Sequence, residues 1–463
     1  MARLTLTDLG HDVLLAICGE IFEAHPRKRV SLSWQGESRA ESTPPFFFPG
    51  PPSPVLLNLA TMHSQLAAAT RPYIWREVLV ALGSYDATEA GEKRLARAEL
   101  PHNAVHVRAL FVSFNILGTP LEDYVPRVVS MLSRFTALRA LCFGTFQSHS
   151  QPQTPPALAA AIRAHPSIDT LVVWHMVGAT DLIAEGSSRL YNIRFNFCHG
   201  GSAALLSKPK RIGAFDQENM EPQNYAKHMP ARIWDTLEFL APGYEDYEMQ
   251  DHAYIQKSLK TYIKSGRKPA LCALDLSHES MYSPSRDGWL KLGRKLPNLY
   301  ALTYSPRSTI EIDEAEAFFE AFPKVRWLHF VAVTSEDEEY EDSDEDSDED
   351  EDASEFELDP EFVDLLSRLP IERLILDVFL PDYVLDDLED RAEEFGMAAA
   401  KEIANWCEEI ELVQFRFLPE DEFEEPPIVV EYAVATPPFG PSTVEVVEPK
   451  TLDGTMLGFL EWR

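Results

Sequence analysis

The stretch GWLKLGRKLPNLYALTY, residues 288–304, decides the fold. Its first ten residues have helical character and end in Pro297. A proline halts a helix and biases the chain toward extended backbone. Leu299, Leu302 and Tyr304 follow, spaced apolar-x-x-apolar-x-apolar. The same spacing recurs as Val107–Leu110–Val112, Leu138–Leu141–Phe143, Ile168–Leu171–Val173 and Leu190–Ile193–Phe195, and weakly at Ile212 and Phe215. Further copies are Trp234–Leu237–Phe239, Leu271–Leu274–Leu276, Val325–Leu328–Phe330, Ile371–Leu374–Leu376 and Leu412–Phe415–Phe417. Successive centres lie mostly 22 to 37 residues apart. The segments PALAAAIRAHP, AEAFFEAFP and EFVDLLSRLP precede three of the copies and end in Pro166, Pro323 and Pro370. One unit is therefore helix, proline stop, short strand.

Helix and strand alternating in a fixed order predict an α/β fold of parallel strands with helices on one side. The apolar pair at each strand end points toward those helices. One unit alone cannot bury that face, whereas a stack can. The expected array spans 100–420 and is similar to a leucine-rich-repeat solenoid, irregular in unit length and mostly lacking the asparagine of such repeats. The plain alternative is an ordinary α/β domain. Residues 421–463, with PPIVVEYAVATPP and STVEVVEP, predict a strand-rich C-terminal cap.

The N-terminal 80 residues follow a different pattern. TDLGHDVLLAICGEI, 7–21, reads as an amphipathic helix with Leu9, Val13, Leu14 and Ile17 on one stripe. Thr7 or Asp8 is its candidate cap. Residues 28–54 contain TPPFFFPGPPSP and read as a proline-rich loop with at most a short extended piece. Helical spacing returns at Leu56, Leu59, Met62 (or His63) and Leu66. Pro72 then marks a boundary before Ile74, Trp75 and Val78. Helices of this size expose more apolar area than a core of about 50 residues can use, so a partner helix is expected.

Composition narrows the classes of function. The chain of 463 residues carries a formal net charge of −34. Residues 335–357 hold 16 acidic side chains and no basic one. They read as a solvated, disordered insertion, and the rest of the chain is acidic as well. Such a surface repels a phosphate backbone, so no nucleic-acid partner is expected. Ser335, Ser343 and Ser347 each have an acid three residues on and are phosphorylation candidates. Five isolated cysteines indicate neither a disulfide framework nor a zinc site. No leader and no apolar run of about 20 residues appears, so no membrane partner is expected and the location is cytoplasmic or nuclear. Phosphate loop, nucleophile elbow and H-E-x-x-H motif are all lacking. CHGGS, 198–202, reads as a tight turn, and no enzyme activity, metal or cofactor is expected.

LTDLGHDVLLAICGEI followed by LLNLATMHSQLAAATRPYIWREV resembles a fungal-type F-box. Leu9, Asp12, Val13, Leu14 and Ile17 match its first element. Leu56 or Leu57, Leu59 and Ala60 match the second, and Ala68, Pro72, Ile74, Trp75 and Val78 the third. Gly10 stands where the family has proline, and residues 24–54 lengthen the inter-helix segment. The resemblance covers 1–80. It implies docking on a Skp-type adaptor and, through it, a cullin scaffold, with Leu9, Val13, Leu14, Ile17, Leu56, Leu59, Pro72 and Trp75 as adaptor-binding residues. The array would then hold a protein substrate for ubiquitination. The alternatives are an N-terminal helical cap on the array and a protein-binding scaffold with no ligase connection.

Overall fold

In the structure, a computed structural model, Val78, Leu110, Leu141, Leu171 and Ile193 stand side by side across five parallel strands. All five are buried. The structure describes residues 9–24, 29–31, 47–49, 53–82, 89–114, 120–145, 152–196, 198, 205–218, 229–242, 251–276, 286–306, 309–334, 358–380, 392–419, 428–435 and 442–447. Among them are twelve α-helices and a mixed, mostly parallel sheet of fourteen strands, β3 to β16, hydrogen-bonded in chain order. The chain divides into two compact units, 1–212 with 219–225 and 213–218 with 226–463.

The first unit opens with α1 (His11–Ala24), a two-stranded antiparallel pair β1 (Arg29–Ser31) and β2 (Phe47–Pro49), then α2 (Pro54–Met62) and α3 (Ser64–Ile74). The parallel strands are β3 (Glu77–Leu82), β4 (Ala109–Phe114), β5 (Ala140–Thr145), β6 (Thr170–Trp174) and β7 (Leu190–Asn196). Between them lie α4 (Glu89–Ala98), α5 (Pro101–Ala104), α6 (Leu121–Arg134) and α7 (Pro156–Ala164). Phe114 meets Tyr124 of α6, and α6 packs on α7.

The second unit repeats the plan. Its strands are β8 (Arg211–Glu218, of which 213–218 belong here), β9 (Phe239–Ala241), β10 (Ala273–Asp275), β11 (Ala301–Tyr304), β12 (Trp327–Val331), β13 (Arg373–Leu380) and β14 (Leu412–Pro419). Its helices are α8 (Asp251–Lys264), α9 (Arg286–Gly293), α10 (Ile312–Ala321), α11 (Pro360–Ser367) and α12 (Ala392–Trp406), each packed on the next. Phe215, Leu240, Leu274, Leu302, Leu328, Leu374 and Val413 form the central ladder. They face the helices. Tyr304 stacks on Phe318 of α10, and Phe330 meets Phe319 of α10 and Phe362 of α11. Burying each such side chain stabilises the fold by about 1.5–3 kcal/mol. The helix stops fall as expected: α7, α10 and α11 end one to three residues before Pro166, Pro323 and Pro370. Asp359 caps α11, its carboxylate accepting from the Glu361 N–H at 2.7 Å.

Four readings of the sequence change. The parallel strands begin at β3, inside the expected 1–80 module and well before residue 100. Trp75–Val78–Val80 carries the recurring spacing. In β9 the ladder residue is Leu240, not Leu237, because Trp234 is taken into a 3₁₀ turn, Ala231–Asp235, with its indole N–H on Ser258 Oγ at 3.0 Å. In β14 the ladder residue is Val413, not Phe415. This two-residue slip in β14 keeps every side chain on its face, so periodicity alone cannot separate Val413 from Phe415, whereas the three-residue shift in β9 turns Phe239 to the opposite face. Finally, the helix breaks at His63, whose backbone is extended, and Pro72 lies inside the last turn of α3. The C-terminal strands β15 (Ile428–Ala435) and β16 (Thr443–Val447) continue the sheet edge as an antiparallel pair beside β14. Ser335, Ser343 and Ser347 lie outside the described residues, as do Thr7 and Asp8.

Candidate functional site

Helices α1, α2 and α3 close around a core of their own: Leu14, Cys18, Leu56, Leu66, Ala69 and Ile74. Leu9, Ile21, Leu59 and Trp75 pack partly buried against it. Tyr73 of α3 donates its hydroxyl to the Leu15 carbonyl at 3.0 Å, and its ring lies tilted against Phe22 with centroids 5.6 Å apart. His63 caps α3, its ring nitrogen accepting from the Gln65 N–H at 3.3 Å. These contacts fix the three helices with few residues.

The sequence-predicted docking residues separate into two groups. Leu14 and Leu56 are buried in this core. Val13 is 49% exposed, and Leu9, Ile17, Leu59, Pro72 and Trp75 are partly buried. Val13 and Ile17 are one helical turn apart, as are Val55, Leu59 and Met62 along α2. Met62 is 73% exposed, and Val55 and Leu57 are exposed too. Four of the eight large apolar side chains exposed among the described residues thus fall on α1 and α2. Sequence reasoning passed over Val55 and did not select Met62 for docking. The signal was a second stripe, Val55–Leu59–Met62, beside Leu56.

A second cluster lies on the sheet face opposite the central ladder, in the second unit. His329 on β12 is buried and meets the Asp377 carboxylate of β13, Nε2 to Oδ2, at 2.9 Å. Ser305, just after β11, donates its hydroxyl to the same oxygen. Arg416 on β14 places Nη1 3.4 Å from Asp377 Oδ1 and 3.3 Å from His329 Nε2. One imidazole nitrogen cannot both donate to a carboxylate and accept from a guanidinium, and the shorter contact assigns the proton to Nε2. Burial alone pushes the Asp377 carboxyl up. The His329 and Arg416 charges, with hydrogen bonds from His329 and Ser305, outweigh it and hold the group well below the usual carboxylate range. Serine and histidine both address the carboxylate, and the serine is not bonded to the imidazole. The trio therefore lacks the hydrogen-bond chain of a nucleophilic triad. Sequence reasoning missed the cluster, because its hydrogen-bonded pairs lie 48 to 87 residues apart along the chain.

No family model matches the chain, and no curated protein matches it. No group of His, Cys, Asp and Glu side chains suited to a metal occurs among the described residues. No described helix is long and apolar enough to cross a membrane.

Proposed function

We propose that the chain is an F-box-type substrate receptor: α1–α3 dock on a Skp-type adaptor bound to a cullin scaffold, and a leucine-rich-repeat-like solenoid holds a protein substrate for ubiquitination. The observation that carries this reading is the exposure of the apolar side chains Val13, Val55, Leu57 and Met62 on helices whose small core is already closed. Covering each such side chain is worth about 1.5–3 kcal/mol, and a partner helix laid across α1 and α2 gathers several of them at once. Leu14 and Leu56 support that surface from beneath, whereas Val13 and Met62 make the contact. The solenoid part of the reading rests on strand order that follows the chain and on helices each packed on the next.

The test is co-purification of the full chain with a Skp-type adaptor. Val13→Asp combined with Met62→Asp should abolish capture and leave thermal unfolding unchanged. Capture that survives the double substitution would remove the docking surface from the reading. A protein-binding scaffold without a ligase connection is favoured by a specific feature: α3 runs into β3 through Trp75 and Arg76 alone, and the Arg76 carbonyl already accepts from the Arg108 and Ala109 N–H groups of the next strand. A helical cap has that continuity. The scaffold reading predicts no adaptor in the purified complex.

A further inference from the structure

The residues that lead into the parallel strands of the first unit carry an excess of positive charge. Arg76, Arg108, Arg139 and Asp169 are neighbours in one row. The Arg76 carbonyl accepts from the Arg108 and Ala109 N–H groups, the Arg108 carbonyl from those of Arg139 and Ala140, and the Arg139 carbonyl from those of Asp169 and Thr170. Adjacent strands lie about 4.8 Å apart, so three arginines stand in consecutive places. All three are exposed. Like charges on neighbouring strands destabilise a sheet. Asp169 neutralises only the last of them, through its ion pair with Arg139. Arg108 donates to the Ala137 carbonyl at 3.0 Å, and Arg76 lies over the Phe22 ring of α1. A carbonyl and a ring thus hold these two side chains in place without cancelling their charge.

The surroundings add charge of the same sign. His106, just after α5, is held below its ordinary pKa first by burial and then by Arg108, Arg71 and His102. No described carboxylate, Glu77 included, forms an ion pair with Arg71, Arg76 or Arg108. Glu99, between α4 and α5, is taken by Arg127 and Arg134 of α6. In the second unit the corresponding row reads Glu238, Cys272, Tyr300, Arg326, Glu372 and Glu411, and its one arginine is paired with Glu372 at 2.8 Å. The unbalanced row of the first unit is therefore a local feature, set in a chain whose net charge is −34.

We propose that the Arg76–Arg108 row binds an acidic segment of a partner protein, with neighbouring carboxylates each taken by one guanidinium. The planar guanidinium fork matches a carboxylate through two parallel hydrogen bonds. A short run of carboxylates meets only the arginines, whereas a nucleic acid would bring a long line of phosphates against the acidic remainder of the chain. The inference goes beyond the proposed function: it needs neither the adaptor nor the exposed apolar side chains of α1 and α2.

The test follows the fluorescence anisotropy of labelled hexaglutamate, hexaglutamine and hexathymidylate with the full chain at constant ionic strength. Hexaglutamate should bind saturably and hexaglutamine should not. Arg76→Gln combined with Arg108→Gln should weaken binding about tenfold, the consequence of losing hydrogen bonds between charged groups, with thermal unfolding checked alongside. Arg71→Gln, which leaves both held arginines in place, should weaken it about threefold. Lys260→Gln combined with Lys264→Gln removes the same charge from α8 and should bind as the parent chain does. The proposal fails if hexaglutamate does not bind, if hexaglutamine binds equally, if the arginine variants bind as tightly as the parent, or if the lysine variant loses as much. Tighter binding of hexathymidylate than of hexaglutamate would put a phosphate backbone in place of the acidic segment and overturn it. Loss of adaptor capture with intact hexaglutamate binding would overturn the docking reading alone.

Discussion

Val13 and Leu14 are chain neighbours on α1 with opposite surroundings: one is half exposed, the other 2% exposed inside the three-helix core. Leu14→Ala should lower stability by about 2–5 kcal/mol, as removal of a buried leucine does. Val13→Asp should stay within about 0.5 kcal/mol. Urea unfolding of the two variants side by side checks both. Asp377 makes a second residue-scale prediction. Its folded pKa is depressed, so its contribution is fully present above the unfolded value of about 3.9 and is lost as pH falls below it. Asp377→Asn should therefore cost about 3–5 kcal/mol at neutral pH, where it leaves buried partners uncompensated. The difference from the parent chain should shrink in unfolding curves below about pH 4. A difference independent of pH would show that the carboxylate charge is not what holds the cluster.

At the scale of elements, α9 ends on Gly293 against the end of α10. A Cβ there would stand 2.7 Å from the Ala321 carbonyl oxygen and 2.7 Å from the Phe322 ring. Backbone cannot yield as a flexible side chain does, so Gly293→Ala should destabilise by about 1–3 kcal/mol through overpacking, read from the urea midpoint. The elements were largely legible in the sequence, since Leu110, Leu141, Leu171, Ile193, Leu274, Leu302, Leu328 and Leu374 are the ladder residues the spacing selects. Register was less legible. The run Leu237–Phe239–Leu240–Ala241 satisfies the spacing in more than one frame, and only the pairing of Leu240 with Phe215 and Leu274 selects the true one. Of the docking candidates, the helix stripe was readable, but which leucine turns inward depended on where α3 lies. Pro72 misled for a local reason. Placed in a last turn, it removes one N–H without halting the helix before Ile74.

For the molecule as a whole, the acidic run departs from Thr334 and returns at Leu358, and these two residues form an antiparallel bridge. The Asp359 N–H donates to the Val333 carbonyl at 2.9 Å just outside it. The ends of the insertion are thus held together by described structure. Replacing 336–356 with a six-residue Gly-Ser linker should keep cooperative thermal unfolding and raise stability by about 1 kcal/mol through the shorter closed loop. Loss of cooperativity would mean that the run takes part in the fold. What the sequence determined by itself is the order of elements and, except in β9, the face each strand turns to the helices, because apolar spacing and proline stops are local and repeat along the chain. What only the tertiary structure decided is register, the inward or outward fate of neighbouring leucines, and the meeting of Ser305, His329, Asp377 and Arg416. Those depend on which strands lie side by side, and hydrogen bonding between strands joins residues that the chain keeps dozens of positions apart.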